Sequence, residues 1–208
     1  MTLLICDDHK IVRDGLRQML QQLPEISSIE EAGNSLELIQ LFKRKIFDVV
    51  LLDISLPSVS GLEILQIIKS KWAKTNVLML SMRPQAQYAM RAHKLGASGY
   101  LTKDVSSEEL LAAIKMVAKG KKYISESLAD SMFDSLHYGK VQYKHELLSV
   151  REFEIMIQLA NGIGLPIIGS GLSISSKTVS TYRARILEKM ELNNNSDITK
   201  YCLENNLI

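Results

Sequence analysis

The chain has 208 residues, which is enough for one large domain or two small ones. It is 46% hydrophobic and 23% charged with a formal net charge of +2, so nothing in the whole composition favours binding to a polyanion. Cys6 and Cys202 lie near opposite ends without metal-ligand spacing, and no apolar run reaches the roughly 18 residues of a membrane span. These features argue against a disulfide-stapled or membrane-spanning protein and favour a soluble, reduced, cytoplasmic one.

Up to about Gly120, short apolar runs alternate with longer amphipathic stretches. The runs at 48–53 and 76–81 are almost continuously apolar, which is typical of parallel strands covered on both faces. We therefore expect an α/β fold, a flavodoxin-like, doubly wound, five-stranded parallel sheet, over residues 1–120. The predicted strands are 3–6, 28–32, 48–53, 76–81 and 99–102, and the predicted helices are 9–22, 35–45, 61–71, 85–95 and 106–119.

The remainder reads as a linker, 121–146, and a small all-α domain, 147–208. The linker mixes polar and aromatic residues, with one short helix predicted over 128–136. The second domain opens on a capping box, Ser149 with Glu152, as the helix at 106–119 does on Ser106 with Glu109. Four helices are predicted in it, over 150–161, 165–172, 176–190 and 196–204.

Charged and hydroxyl residues stand at the ends of four predicted strands. Asp7 and Asp8 follow the first strand, Asp53 ends the third, Ser81 ends the fourth and Lys103 follows the fifth. Ligands of open parallel sheets bind beyond the carboxyl ends of the strands, so these side chains should share one crevice. Three carboxylates suit Mg²⁺, and an anion on Asp53 would meet the metal, Lys103 and Ser81 together, as in phosphoryl transfer to a carboxylate. The alternative, ordinary turn residues at each strand end, would have to hold five times in chain order.

Residues 1–120 resemble the receiver domain of a two-component response regulator. The resemblance rests on Asp7-Asp8, "DISLPSVSGLE" with Asp53, Ser81, and "GASGYLTKD" with Tyr100 and Lys103. It implies that Asp53 accepts the phosphoryl group, that Ser81 and Tyr100 form the switch pair and that Lys103 pairs with the phosphate. It also implies a Mg²⁺ site formed by Asp7, Asp8, Asp53 and the backbone carbonyl of Ser55.

Residues 147–208 resemble the four-helix LuxR-type helix-turn-helix domain of the NarL/FixJ subfamily, above all in "SKTVSTYRARILEKM". A helix entering the major groove needs small or hydrogen-bonding residues toward the bases and cations toward the phosphates. The resemblance implies that bases are read by Ser180, Thr181 and Ala184. Contacts to the DNA backbone would come from Lys177, Thr178, Tyr182, Arg185 and Lys189.

Two features count against DNA binding. Residues 147–208 hold six Lys and Arg and six Asp and Glu, a net charge of zero, which is weak for a protein held by phosphate charge. The scaffold helix of the helix-turn-helix falls on "GIGLPIIGSG", where interior glycines cost up to about 1 kcal/mol each relative to alanine. We expect a short or frayed scaffold helix here rather than a different fold.

The sequence thus predicts a regulator rather than an enzyme: a DNA-binding transcription factor that a sensor histidine kinase phosphorylates at Asp53 and that binds double-stranded DNA as a homodimer. The rival hypothesis is a phospho-regulated protein-interaction module whose C-terminal domain has lost DNA binding. A hydrolase of the haloacid dehalogenase type ranks low, because Ser55 stands where a second aspartate is required. The four histidines show no ligand spacing and are predicted to lie on the surface or in loops; they are His9, His93, His137 and His145.

Overall fold

The computed structural model describes residues 1–56, 59–82, 86–125 and 143–208, with backbone alone at 86 and 87. The chain divides into two compact units, 1–134 and 135–208, which are described in turn. The helix predicted over 128–136 lies outside the described residues. No helix among the residues described is long and apolar enough to cross a bilayer.

The first unit is built on five parallel strands in the order β2-β1-β3-β4-β5. β3 is buried along its whole length, and β4 at every residue except its first, as their continuous apolar runs require. The predicted flavodoxin-like sheet is therefore confirmed, with strand ends shifted by at most one residue. The strands are β1 (Thr2–Cys6), β2 (Ser28–Ala32), β3 (Val49–Asp53), β4 (Asn76–Ser81) and β5 (Gly99–Thr102).

Five helices connect and follow these strands. Each begins and ends within three residues of its predicted boundaries. The largest difference is at the second helix, which ends at Phe42, and the N–H groups of Arg44 and Lys45 both donate to the Leu41 carbonyl in a turn after it. Gly120 follows the end of the fifth helix in the left-handed conformation, with φ +75°, as glycines after a helix commonly do. The helices are α1 (Lys10–Leu20), α2 (Ser35–Phe42), α3 (Gly61–Lys71), α4 (Ala86–Lys94) and α5 (Ser107–Ala118).

The predicted capping box at the start of α5 forms only in part. The Ser106 hydroxyl accepts from the backbone N–H of Glu109 at 3.2 Å, but the Glu109 carboxylate accepts from the hydroxyl of Tyr123 at 2.7 Å. The Tyr123 backbone N–H donates to the Ser98 carbonyl at 2.8 Å, and Tyr123 forms a parallel bridge with Gly99. A Cβ at Gly99 would lie 3.0 Å from the Tyr123 Cβ and 2.8 Å from a Leu78 methyl. The first residues of the predicted linker are thus attached to the edge of the sheet.

The second unit consists of the four predicted α-helices, preceded by a short 3-10 helix that was not predicted. The Ser149–Glu152 capping box is complete, because each side chain accepts from the backbone N–H of the other. The elements are the 3-10 helix (Lys144–Leu147), α6 (Val150–Ala160), α7 (Leu165–Gly171), α8 (Ser176–Met190) and α9 (Asn195–Glu204). They pack around a core to which α6 and α8 contribute most of the buried side chains.

His145 is buried in this unit, with 1% of its surface exposed, so the prediction of a surface or loop position is wrong for this histidine. Its Nδ1 lies 2.9 Å from the Tyr201 hydroxyl on α9, and its ring stacks on that of Tyr143. The sequence concealed this position because the partners are 56 residues apart and both are polar. The 3-10 helix is thereby fixed to the last helix of the unit.

The scaffold helix α7 is short, as predicted, with Pro166 in its first turn. Its glycines differ in their surroundings. A Cβ at Gly169 would lie 2.7 Å from the Ile174 carbonyl oxygen and 3.3 Å from the Ser176 nitrogen, whereas nothing lies within 4 Å of one at Gly171. Gly169 therefore permits the close approach of α7 to the start of α8, and only Gly171 is a glycine without a packing reason.

Candidate functional site

The carboxyl ends of β1 and β3 bring the predicted acids together. Asp7 directly follows β1, Asp53 ends β3, and these strands are neighbours at the centre of the sheet. Carboxylate oxygens of Asp7, Asp8 and Asp53 and a ring nitrogen of His9 all lie within 4.8 Å of one another. Asp7 and Asp53 are 1% and 2% exposed, whereas Asp8 and His9 face solvent. The crevice is therefore a set of buried acids with an open mouth.

Lys103, in the loop after β5, lies between the two buried acids. Its Nζ is 2.6 Å from Asp7 Oδ2 and 3.1 Å from Asp53 Oδ2. These are ion-pair distances, so the ammonium faces one oxygen of each acid. The second oxygen of Asp53, Oδ1, is buried and has no hydrogen-bond partner among the described residues. One ammonium cannot neutralise the charge of three carboxylates, so a further cation in the crevice would be electrostatically favourable.

Burial shifts the proton affinities of these groups. It raises the pKa of Asp53, because the ionised form loses solvation; the Lys103 charge opposes this shift and the Asp7 charge adds to it. Burial alone would lower the pKa of Lys103, but hydrogen bonding to Asp7 and the charges of Asp53 and Asp7 outweigh it and raise that pKa. Lys103 is thus held as a cation beside a carboxylate whose charge is costly without a partner.

Gly61 fixes the backbone beneath Asp53. Its N–H donates to the Ile54 carbonyl at 2.8 Å, and a Cβ at this position would lie 2.0 Å from the Asp53 carbonyl oxygen. Only glycine permits so close an approach, which explains the Gly in "DISLPSVSGLE" without reference to any relative. The start of α3 therefore packs directly on the backbone of Asp53.

The other predicted receiver residues lie on β4, on β5 and in the loop after β3. Ser81 ends β4 and is fully buried, and Tyr100 on β5 is 6% exposed, so its ring is turned into the protein. Ser55 follows β3 in the loop next to Asp53 and is exposed. Sequence reasoning missed Arg13, whose Nη1 donates to the Asp7 carbonyl at 2.7 Å from α1, and His9, whose position depends on the turn after β1.

A second candidate site is the exposed face of α8. Ser180, Thr181 and Ala184 are exposed there, as their predicted contact with bases requires. A concave surface of about 300 Å³ lies on this face, and its lining is Ser175, Lys177, Thr178, Thr181, Tyr182 and Arg185. Val179, Ile186 and Met190 are buried on the opposite side, and Tyr182 is half-buried between the two faces.

The cations of α8 differ in their availability. The Lys177 ammonium has no partner among the described residues, and the Arg185 guanidinium lies 6.0 Å from the centre of the Tyr182 ring. In contrast, Lys189 donates to Glu152 at 2.7 Å and Arg183 donates to Asn195 at 2.6 Å. Although the net charge of the domain is zero, Lys177 and Arg185 are therefore available to a ligand, whereas Lys189 and Arg183 form hydrogen bonds within the domain.

Comparison with known proteins identifies a family for each of the two domains. Residues 3–115 match the response regulator receiver domain, and residues 146–202 match the bacterial regulatory proteins of the luxR family. The nitrate/nitrite response regulator NarL of Escherichia coli K12 is 32% identical, over 92% of this chain and 89% of its own. Response regulator UvrY of the same strain is 29% identical, over 100% of this chain and 95% of its own.

The fold is also similar to a solved structure of the RcsB response regulator of Salmonella typhimurium, which was studied for its conformational dynamism in DNA interaction. The two share 25% identity with a TM-score of 0.61, and the match covers 97% of each chain. The receiver-like sheet, the acidic crevice, the helix-turn-helix and these matches agree. The chain belongs to the NarL/FixJ subfamily of response regulators, transcriptional regulators in which a receiver domain is followed by a LuxR-type DNA-binding domain.

Proposed function

We propose that this regulator accepts a phosphoryl group on Asp53 from a sensor histidine kinase and thereby changes its binding to DNA. The observation that carries the proposal is the position of Asp53, a buried carboxylate 3.1 Å from the Lys103 ammonium within a crevice of three acids. A carboxylate whose neighbours stabilise added negative charge is the nucleophile that phosphoryl transfer needs.

The crevice fits a divalent cation. Asp53 Oδ1 is a buried oxygen without a hydrogen-bond partner in the described part of the chain, and Mg²⁺ is bound in proteins through one or two carboxylates, with water completing its shell. We propose that Asp7, Asp8, Asp53 and the backbone carbonyl of Ser55 hold it. When bound, Mg²⁺ neutralises the acids and the phosphoryl oxygens and orients them for in-line displacement.

The remaining residues respond to the modification. Phosphorylation adds about −1.5 to −2 charges and three acceptor oxygens, to which Lys103 and the Ser81 hydroxyl would donate hydrogen bonds. Tyr100 is the second member of the proposed switch pair, on the strand that ends beside Lys103. Inverting a 1:99 population requires about 5.5 kcal/mol in favour of the active form, which charge-assisted hydrogen bonds can supply.

In the second domain we propose that α8 enters the major groove. Bases would be read by Ser180, Thr181 and Ala184, and the DNA backbone would be contacted by Lys177, Thr178, Tyr182, Arg185 and Lys189. Two copies related by a two-fold axis would read half-sites about 10 bp apart, or a multiple of that. We also propose 1–120 and 147–208 as the domain limits and 121–146 as the linker.

Intact-mass spectrometry tests the acceptor. The full chain is incubated with Mg²⁺ and a small acyl phosphate, alongside Asp53→Asn and the control Asp14→Asn, an exposed acid on α1. We expect one phosphoryl increment on the unmodified chain and on the control, and none on Asp53→Asn. A phosphoryl increment that persists in Asp53→Asn refutes the assignment.

The second candidate function is a phospho-regulated interaction module that does not bind DNA, and the zero net charge of the C-terminal domain favours it. A gel-shift titration with the acyl phosphate present, from low to physiological salt, separates the two. Binding that weakens with salt supports the regulator. Absence of binding at low salt, for genomic fragments and nonspecific duplex alike, supports the module.

A further inference from the structure

The turn after β1 places His9 beside the acids. The Asp7 carboxylate accepts from the His9 backbone N–H at 2.9 Å, which reverses the chain directly after Asp8. As a result the His9 Nδ1 lies 2.8 Å from Asp8 Oδ1 and 3.3 Å from Asp7 Oδ1. An imidazole nitrogen thus faces the same space as the carboxylates.

Two further observations point to a ligand in this space. The oxygen Asp53 Oδ1 is buried and has no hydrogen-bond partner among the described residues, whereas Asp7 Oδ2 and Asp53 Oδ2 face the Lys103 ammonium. The potential ligand atoms of Asp7, Asp8, His9 and Asp53 lie within 4.8 Å of one another, so a single ion can contact them together. Because Asp8 and His9 are exposed, the ion can enter from solvent without any opening of the core.

We propose that His9 is a nitrogen ligand of this site, so that the crevice binds borderline divalent metals such as Ni²⁺, Co²⁺ or Zn²⁺ through one imidazole and the carboxylates. Imidazole suits these ions, whereas Mg²⁺ takes oxygen ligands. The inference rests on the proposed function, because it uses the same acids. It adds that the side chain of residue 9 decides which metals compete with Mg²⁺.

The competing explanation is that His9 only hydrogen-bonds to Asp8 and orients it. The two explanations differ in their selectivity. A histidine that orients Asp8 affects every metal, including Mg²⁺, whereas a histidine that ligates affects only the ions that accept nitrogen.

Calorimetric titration of the full chain with Mg²⁺, Ni²⁺ and Co²⁺ separates them. The variant is His9→Asn, and the matched control is His93→Asn, an exposed histidine on α4. Loss of an outer partner of a metal ligand already costs about 10–100-fold in affinity, so loss of a direct ligand should cost at least about tenfold. We expect that loss for Ni²⁺ and Co²⁺ in His9→Asn, with Mg²⁺ affinity unchanged, and no effect in the control.

The visible absorption of bound Co²⁺ gives a second readout, because replacing a nitrogen ligand by oxygen changes the spectrum. Unchanged Ni²⁺ and Co²⁺ affinity and an unchanged spectrum in His9→Asn overturn the proposal. So does an equal loss for all three metals, or the absence of Ni²⁺ and Co²⁺ binding to the unmodified chain. Phosphorylation of the unmodified chain with Mg²⁺ present reports separately on the proposed function, which fails if Asp53 accepts no phosphoryl group there, whatever the metal titrations show.

Discussion

Lys189, near the end of α8, donates a hydrogen bond of 2.7 Å to the buried carboxylate of Glu152 at the start of α6. That carboxylate also accepts from the Ser149 backbone N–H at 2.8 Å. The same lysine side chain was predicted to contact the DNA backbone. In the free domain its ammonium is a partner of a helix cap, so its contribution to folding and to DNA binding must be measured separately.

Lys189→Ala should lower the stability of the second domain. It leaves the buried Glu152 carboxylate with only the cap hydrogen bonds, and because Lys189 is partly exposed we expect a loss of about 1 kcal/mol. Hydrogen exchange of peptides from 149–160 measures it, since the only tryptophan lies in the receiver. Lys177→Ala is the control, for which we expect no change in exchange. Equal exchange in the unmodified chain, Lys189→Ala and Lys177→Ala would contradict the prediction.

The same ion pair predicts an acid-sensitive domain. Burial would raise the pKa of Glu152, but the hydrogen bonds from Lys189 and Ser149 outweigh it and lower the pKa. A carboxyl with a lowered folded pKa stabilises the domain above its unfolded pKa of about 4.3, and this stabilisation is lost as the pH falls through the folded value. Glu152→Gln should therefore be less stable at pH 7 and show a shallower stability decline below about pH 5. Parallel profiles of stability against pH for the unmodified chain and Glu152→Gln would contradict this prediction.

Salt dependence should distinguish the cations of α8. Each phosphate contact contributes about −0.9 to the slope of log affinity against log salt, so Lys177→Ala or Arg185→Ala should flatten the slope by roughly 2 for a dimer. For Lys189→Ala we expect a smaller change, because its ammonium must leave Glu152 to reach a phosphate. Fluorescence anisotropy with a labelled duplex at several salt concentrations measures the slopes. A larger change for Lys189→Ala than for Lys177→Ala would reverse the assignment.

Two glycines of α7 should respond oppositely to alanine. Gly169→Ala introduces a Cβ 2.7 Å from the Ile174 carbonyl oxygen and should destabilise the domain by about 1–3 kcal/mol. Gly171→Ala meets nothing within 4 Å and should stabilise it by about 0.4–1 kcal/mol. The two substitutions are matched in chemistry and helix. Denaturant unfolding followed by far-UV circular dichroism measures both, and effects of equal sign would contradict the prediction.

The Tyr123–Glu109 hydrogen bond should make the receiver sensitive to alkali. Burial, then the hydrogen bond and charge of Glu109, raise the pKa of Tyr123 to about 12. An acid with a raised folded pKa stabilises the fold below its unfolded pKa of about 10, and this contribution is lost as the pH rises toward 12. Ultraviolet titration should show one late-ionising tyrosine fewer in Tyr123→Phe than in the unmodified chain or in Tyr143→Phe. Tyr201, whose pKa is also raised by burial, should ionise late in all three proteins. An unchanged late-ionising amplitude in Tyr123→Phe would contradict the hydrogen bond.

The sequence predicted the sheet and the acidic crevice well because both follow from local patterns. Continuous apolar runs mark buried parallel strands, and parallel strands bring residues at their ends to one edge, so Asp7, Asp53 and Lys103 could be expected to meet. Contacts between distant polar residues carry no such periodicity. The His145–Tyr201, Lys189–Glu152 and Tyr123–Glu109 pairs were therefore missed, although each residue was visible in the sequence.

The glycines of α7 show a different limit. From propensity alone every interior glycine weakens a helix, and Gly169 and Gly171 looked alike. Their difference depends on whether the backbone of residues 174–176 passes close by, which only coordinates reveal. Gly61 is the same case in the receiver, where glycine is required by the Asp53 carbonyl and not by a turn.

The bridge between Tyr123 and Gly99 has a mechanical consequence. A pulling force on the segment after α5 would act first on Tyr123, which is bonded to Gly99 of β5 and to Glu109 of α5. The force would therefore reach β5 one residue before Tyr100. A force on this segment would therefore act on β5, the strand that carries the Tyr100 ring, and a rearrangement of β5 would in turn displace the segment.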